Sequence, residues 1–144
     1  MVHSDAGHYA AKHPGKTIDT AIADRIGMRE KNARISCAAA HDIAQECGCT
    51  PMQVGTNIDL LEKRISNCQL GLFGHGGSNG KAVEPSTIVP PPVKNAILSS
   101  VKSDRITCIA AWAVARQLDL PRLEVGCACE SMSIKVVDCQ LGAF

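Results

Sequence analysis

Residues 34–73 and residues 105–144 are one segment written twice. At a constant offset of 71 and with no gap, 13 of the 40 pairs are identical. The identities cluster. Arg34-Ile35-x-Cys37 returns as Arg105-Ile106-x-Cys108. Ala39, Ala40 and Ala44 return as Ala110, Ala111 and Ala115, and Val54-Gly55 returns as Val125-Gly126. Cys68-Gln69-Leu70-Gly71-x-Phe73 returns as Cys139-Gln140-Leu141-Gly142-x-Phe144. A duplication restricts the chain to two copies of one small fold. It also supplies an internal control, because a residue that becomes Leu in the other copy is core there rather than chemistry.

The raw material for a core is aliphatic. Hydrophobic residues make up 45% of the chain and aromatic residues 3%. Small side chains let helices approach closely. Fifteen basic and fourteen acidic residues leave a net charge of +1, so any electrostatic partner must be met by local clustering rather than by the overall charge. No stretch approaches the length of a membrane span. The first fifteen residues hold His3, His8 and His13 but no apolar run, so they do not read as a signal peptide. The expected location is therefore the cytoplasm, without membrane attachment. Eight cysteines in that compartment point to thiols, metal ligands or redox chemistry before structural disulfides.

The chain divides by composition into a flexible tail (1–16), a first repeat (17–73), a Gly/Pro linker (74–92) and a second repeat (93–144). The linker holds Gly74, Gly76, Gly77 and Gly80, then Pro90-Pro91-Pro92. A helix is expected over residues 17–28 with Ile18, Ala21, Ile22 and Ile26 on one face. A short strand follows at Arg34. The next helix, Cys37–Cys47, has Cys37, Ala40, Ile43, Ala44 and Cys47 as its apolar stripe. Gly48 stops it. Thr50 suits an N-cap and Pro51 the first position of another helix, which runs to about Leu61. Residues 63–73 read as a strand or hairpin. Residues 93–101 repeat the leading helix, with a connection to Arg105 four residues shorter than its counterpart.

This order, with Ala44, Gly48 and Val54 spaced four and then six apart, resembles the winged helix-turn-helix pattern. The second copy keeps Ala115 and Val125 and places Asp119 at the turn. The resemblance implies a mostly α fold with short β, internally duplicated as a winged-helix/helix-turn-helix-like unit. It also implies that the second helix of each turn enters a DNA groove. The expected DNA contacts are then Gln53, Thr56, Asn57 and Arg122 on those helices, with Lys63, Arg64 and Lys135 on phosphate. Arg25, Arg29, Lys31 and Arg34 form a further basic cluster. Acidic Asp59, Glu124 and Glu130 oppose phosphate binding.

The internal control sorts the cysteines. Cys47 and Cys49 pair with Leu118 and Leu120, and Cys129 pairs with Ile58, so these three read as core. Cys127 pairs with Thr56 and reads as exposed. Cys37 and Cys108 open a helix, where a thiol pKa falls. Cys68 and Cys139 are expected in the final strand. If that strand pairs with the one at Arg34, Cys37 approaches Cys68 and Cys108 approaches Cys139, as metal, iron-sulfur or redox positions. No nucleophile–base pair, phosphate loop or paired carboxylate stands out, and residues 75–80 read as linker. The expectation is a non-enzyme: a DNA-binding, regulator-like protein acting on double-stranded DNA, responsive to redox state or metal. The alternative is a protein-interaction or metalloenzyme assembly module on the same fold.

Overall fold

A computed structural model describes residues 8–75, 80–84 and 88–144. It is mostly helical with short parallel strands, and the order α-β-α-α-β occurs twice.

In the first copy, α1 (Thr20–Arg29) opens where Asp19 accepts the N–H groups of Ala21 and Ile22 at 3.0 and 3.3 Å. That cap starts the helix three residues later than the apolar pattern predicts and leaves Ile18 partly exposed. Ile22 and Ile26 face the core. Strand β1 (Arg34–Ser36) runs directly into α2 (Cys37–Cys47), because Ser36 Oγ accepts the Ala39 N–H at 3.1 Å and serves as N-cap. Gly48 closes α2 at φ 63°, and the Cys49 N–H donates to Ala44 O at 3.0 Å. Helix α3 (Pro51–Leu60) begins in a capping box. Thr50 Oγ1 accepts the Gln53 N–H at 3.1 Å, and Gln53 Oε1 accepts the Thr50 N–H at 2.9 Å. Thr50→Ala is expected to cost about 1 kcal/mol in urea unfolding. Pro121→Ala, at the matching place with no side-chain cap, should change little.

Strand β2 (Arg64–Ser66) pairs in parallel with β1, Arg34 beside Arg64, Ile35 beside Ile65 and Ser36 beside Ser66. The paired tripeptides are identical in sequence. A parallel pair needs a long crossover, which α2 and α3 provide. The segment after α3 therefore does not fold back there as an antiparallel wing. Cys68 and Cys139 also lie just beyond the strands, which end at Ser66 and Val137, not inside them.

The second copy runs α4 (Pro91–Leu98), β3 (Arg105–Thr107), α5 (Cys108–Leu118), α6 (Arg122–Ser131) and β4 (Lys135–Val137), with β3 and β4 parallel. Asp119 takes the left-handed turn at φ 54° where Gly48 stands in the first copy, a conformation Asp tolerates. The offset of 71 extends upstream of the visible repeat. The N-caps Asp19 and Pro90 obey it, as do the buried pairs Ile22/Val93 and Ile26/Ile97. No shortened connection exists. The linker read as ending at residue 92 ends at Pro90, because Pro91 and Pro92 form the first turn of α4, where a missing N–H costs nothing.

The compact units do not follow the repeat boundaries. One consists of Met1–Cys68 with Gln140–Phe144, the other of Gln69–Cys139. Each repeat's final segment thus completes the unit built on the other repeat's helices. The seat is a glycine. A Cβ on Gly55 would lie 1.8 Å from Leu141 O, and a Cβ on Gly126 would lie 1.9 Å from Leu70 O. Backbone rests on backbone at both places, which accounts for the repeated glycine, while Val54 and Val125 are buried in the core.

The first unit has one further layer. The segment expected to be a flexible tail is docked from Tyr9 onward, while residues 1–7, with His3, lie outside the described residues. A short 3-10 turn, Tyr9–Lys12, buries Tyr9, and Glu62 accepts the N–H groups of Tyr9 and Ala10. Lys12 Nζ and His13 Nε2 approach Asp59 Oδ2 at 3.3 and 2.8 Å. Residues 76–79, most of the Gly-rich stretch read as linker, also lie outside the described residues. No helix of the described residues is long and apolar enough to cross a membrane.

Candidate phosphate-binding edge

Each unit carries a row of three cations across neighbouring strands. Lys31 and Arg34 bond reciprocally through their backbones at 2.8 and 2.9 Å, closing a two-residue turn in which Asn32 and Ala33 sit at φ 53° and 61°. Two successive positive φ angles make this the tight hairpin turn whose twist suits its flanks. Lys31 therefore lies beside Arg34, and Arg34 lies beside Arg64 in the parallel register. The second unit repeats the arrangement with Lys102, Arg105 and Lys135, its turn residues Ser103 and Asp104 at φ 52° and 59°. Adjacent strands lie about 5 Å apart, so the row sets like charges side by side, which is unfavourable without an anion. Ile35, Ile65, Ile106 and Val136 are buried from the same strands, which sends the cations to the opposite face. Lys102, Arg105 and Lys135 are exposed, and no ion pair among the described residues involves them.

Of the residues expected to contact DNA, Arg64 and Lys135 join these rows. Lys63 instead pairs with Glu30 at 3.0 Å. Of the helix residues, Gln53 and Arg122 are exposed, Thr56 is half-buried and Asn57 is buried. Gln53 is exposed, but its carbonyl serves the capping box. Thr56 is half-buried and donates to Met52 O at 3.0 Å. Asn57, expected on the outward face, is 5% exposed. It donates to Gln53 O at 2.9 Å and accepts the Asp19 N–H at 2.7 Å. Asp59 is 2% exposed, beneath Lys12 and His13. The physical reason is the N-terminal segment, which covers this side of α3. The second copy lacks the donor and the acceptor together, since Pro90 replaces Asp19 and Ala128 replaces Asn57. Arg122 is exposed at the start of α6 but stacks on Trp112 at 3.6 Å and donates to Gln69 Oε1 at 3.2 Å. Glu124 and Glu130 stay exposed on the same helix.

No family model, curated protein or solved structure matches this chain.

The basic cluster expected at Arg25, Arg29, Lys31 and Arg34 divides. Arg25 and Arg29 both reach Glu46, the first at 3.5 Å. The hydrogen bond between Arg29 and Glu46 raises the guanidinium pKa and lowers the carboxyl pKa. Lys31 and Arg34 belong to the row. The residues missed from sequence are Lys102 and Arg105. The available signal was position: Lys31/Lys102, Arg34/Arg105 and Arg64/Lys135 stay basic at the repeat offset.

The shared cysteines flank the paired strands. Cys37 follows β1 and Cys68 comes two residues after β2, with Cys108 and Cys139 matching them, and all four are buried. Among the described residues no group of three or more His, Cys, Asp or Glu side chains is placed to hold a metal. Cys47 and Cys49 are half-buried, and desolvation raises the Cys49 pKa. Cys127 is half-buried, its Sγ accepting the Glu84 N–H at 3.4 Å. Cys129 is 1% exposed, and burial pushes its thiol from 9.0 to about 11. A raised acid pKa favours the fold while both states are protonated. Above pH 9 the unfolded thiol ionises first, so the Cys129 contribution should fade between pH 9 and about 11. Urea midpoints at pH 7 and pH 10.5 test this, with Cys129→Val expected to flatten part of the decline.

One concave site recurs at the repeat offset. In the first unit a cavity of about 570 Å³ is lined by Thr17, Asp19, Thr20, Gln53, Thr56 and Asn57, among others. In the second unit a groove of about 470 Å³ is lined by Ile88, Val93, Leu120 and Leu123, with Glu84 and Glu124 beside them. The place is the same, but the first copy is polar and the second apolar.

Proposed function

We propose that this protein is a non-enzymatic, DNA-binding accessory or regulator built on two helix-turn-helix-like units, and that it holds double-stranded DNA through backbone phosphates rather than by reading bases. The observation that carries this is the cross-strand cation row present in both units, Lys31-Arg34-Arg64 and Lys102-Arg105-Lys135. A duplex backbone supplies closely spaced negative charge for such a row. The α2–α3 and α5–α6 pairs resemble helix-turn-helix units at their turns, but the covered face of α3 and the acidic α6 give little for sequence readout. Binding should therefore be salt-dependent and weakly sequence-specific. The cysteines enter as buried thiols beside the strands that carry the rows, where oxidation would disturb the pairing. The test is fluorescence anisotropy of a labelled random-sequence duplex with reduced protein at low salt. No binding there overturns the proposal.

A second reading has its own support. The apolar groove of the second unit, flanked by Glu84 and Glu124, suits an apolar peptide with basic neighbours and fits a protein-interaction or assembly module. Ile88→Lys separates the two readings, because Ile88 lines the groove and is exposed while the cation row stays intact: unchanged duplex binding is expected under the first reading, and loss of a peptide partner under the second.

A further inference from the structure

The Gln-Leu-Gly-x-Phe segments are docking ligands, and the glycine faces of α3 and α6 are their seats. Residues 140–144 place Leu141 O over Gly55, bury Leu141 and Ala143, and receive a hydrogen bond from Lys12 Nζ to Gly142 O at 3.3 Å. Residues 69–73 place Leu70 O over Gly126 and bury Leu70. The neighbours correspond position by position. Gly142 at φ 78° lies against Met52, and Gly71 at φ 80° lies against Leu123, the residue matching Met52 at the repeat offset. The two segments differ only at Leu72 and Ala143.

Nothing in these contacts encodes which chain must supply the segment. In the first unit the seat is made by residues before 69 and the ligand by residues after 139, with the whole second unit between them. The same hydrogen bond, burial and backbone contact form whether Gln140–Phe144 comes from the same molecule or from another. The balance is then set by the effective concentration of the tethered segment against the concentration of other chains.

We propose that Gln140–Phe144 of one molecule can seat on α3 of a second copy of this chain, giving a reciprocally exchanged dimer. The experiment uses the full chain, unfolded with reductant and refolded at low micromolar and at near-millimolar concentration. Oligomeric state is read by light scattering after size exclusion. The dimer fraction should rise by about tenfold or more with concentration and persist on dilution, because exchange requires a unit to open. Co-refolding isotope-labelled and unlabelled wild-type chains should give mixed dimers by native mass spectrometry, a readout that needs no variant. Leu141→Asp should suppress the dimer. Monomer at every concentration, or a dimer undiminished by Leu141→Asp, overturns the proposal.

Discussion

Gly55→Ala is expected to destabilise the first unit by about 2–3 kcal/mol, although alanine is the better helix former. In a helix interior, Gly to Ala alone gains about 1 kcal/mol. Gly27 offers that gain without penalty: it lies within α1, and a Cβ there meets nothing within 4 Å. At Gly55 the added carbon would fall 1.8 Å from Leu141 O and 2.7 Å from Leu141 C. Those are backbone atoms, so no rotamer change relieves the clash. Either α3 or residues 140–144 must move, and moving the segment exposes Leu141 and Ala143, both now buried. Gly126→Ala should behave alike against Leu70 O in the second unit. Urea unfolding of the three single variants checks this, with Gly27→Ala shifting the midpoint up and the other two shifting it down. A Gly55→Ala protein as stable as wild type would show that the segment does not rest on α3.

That pairing of helix glycine with terminal segment explains what the sequence showed and what it hid. The Val-Gly and Gln-Leu-Gly-x-Phe identities were visible, and so was the duplication, because each protects one contact made twice. Which repeat supplies the segment was not legible, since Gln69–Phe73 and Gln140–Phe144 are nearly the same ligand. The turns between α2 and α3 and between α5 and α6 were legible because their determinants are local: Gly48 or Asp119 in the left-handed position, and Thr50 as the N-cap of α3. The leading helices shared the offset invisibly. Ile22 and Val93 are equivalent in burial, yet of the surrounding pairs few are identical, because only apolar character is needed there. The burial of Asn57 and Asp59 depends on partners 38 and 46 residues away, Asp19 and His13, and local patterning cannot reach that far. The cation row failed to appear for a similar reason. Lys31, Arg34 and Arg64 become neighbours only once a parallel register joins β1 to β2.

Affinity for random-sequence duplex is expected to fall with salt in proportion to the cations engaged. Each neutralised phosphate contributes about −0.9 to the slope of log affinity against log salt. One row of three then gives a slope of about −2.7, or roughly a 40-fold loss between 50 and 200 mM salt. Both rows engaged on one duplex would give about −5.4 and a loss of roughly three orders of magnitude. The measured slope therefore counts the rows in use. Arg105→Ala should lower affinity and flatten the slope by about 0.9, equally for every duplex sequence. Lys102→Ala and Lys135→Ala should do the same, because all three are exposed and without an ion pair among the described residues. Removing a cation from the row also relieves repulsion between neighbours, so these variants should be no less stable than wild type. Weaker binding at undiminished stability separates a phosphate-binding row from charges that only solvate a surface, for which binding would not change. Lys63→Ala is the internal comparison. Its ammonium is held by Glu30 at 3.0 Å, so its loss should leave the salt slope close to wild type. A slope unaltered by Arg105→Ala would remove the row from the binding surface and shift attention to the apolar groove beside Leu123.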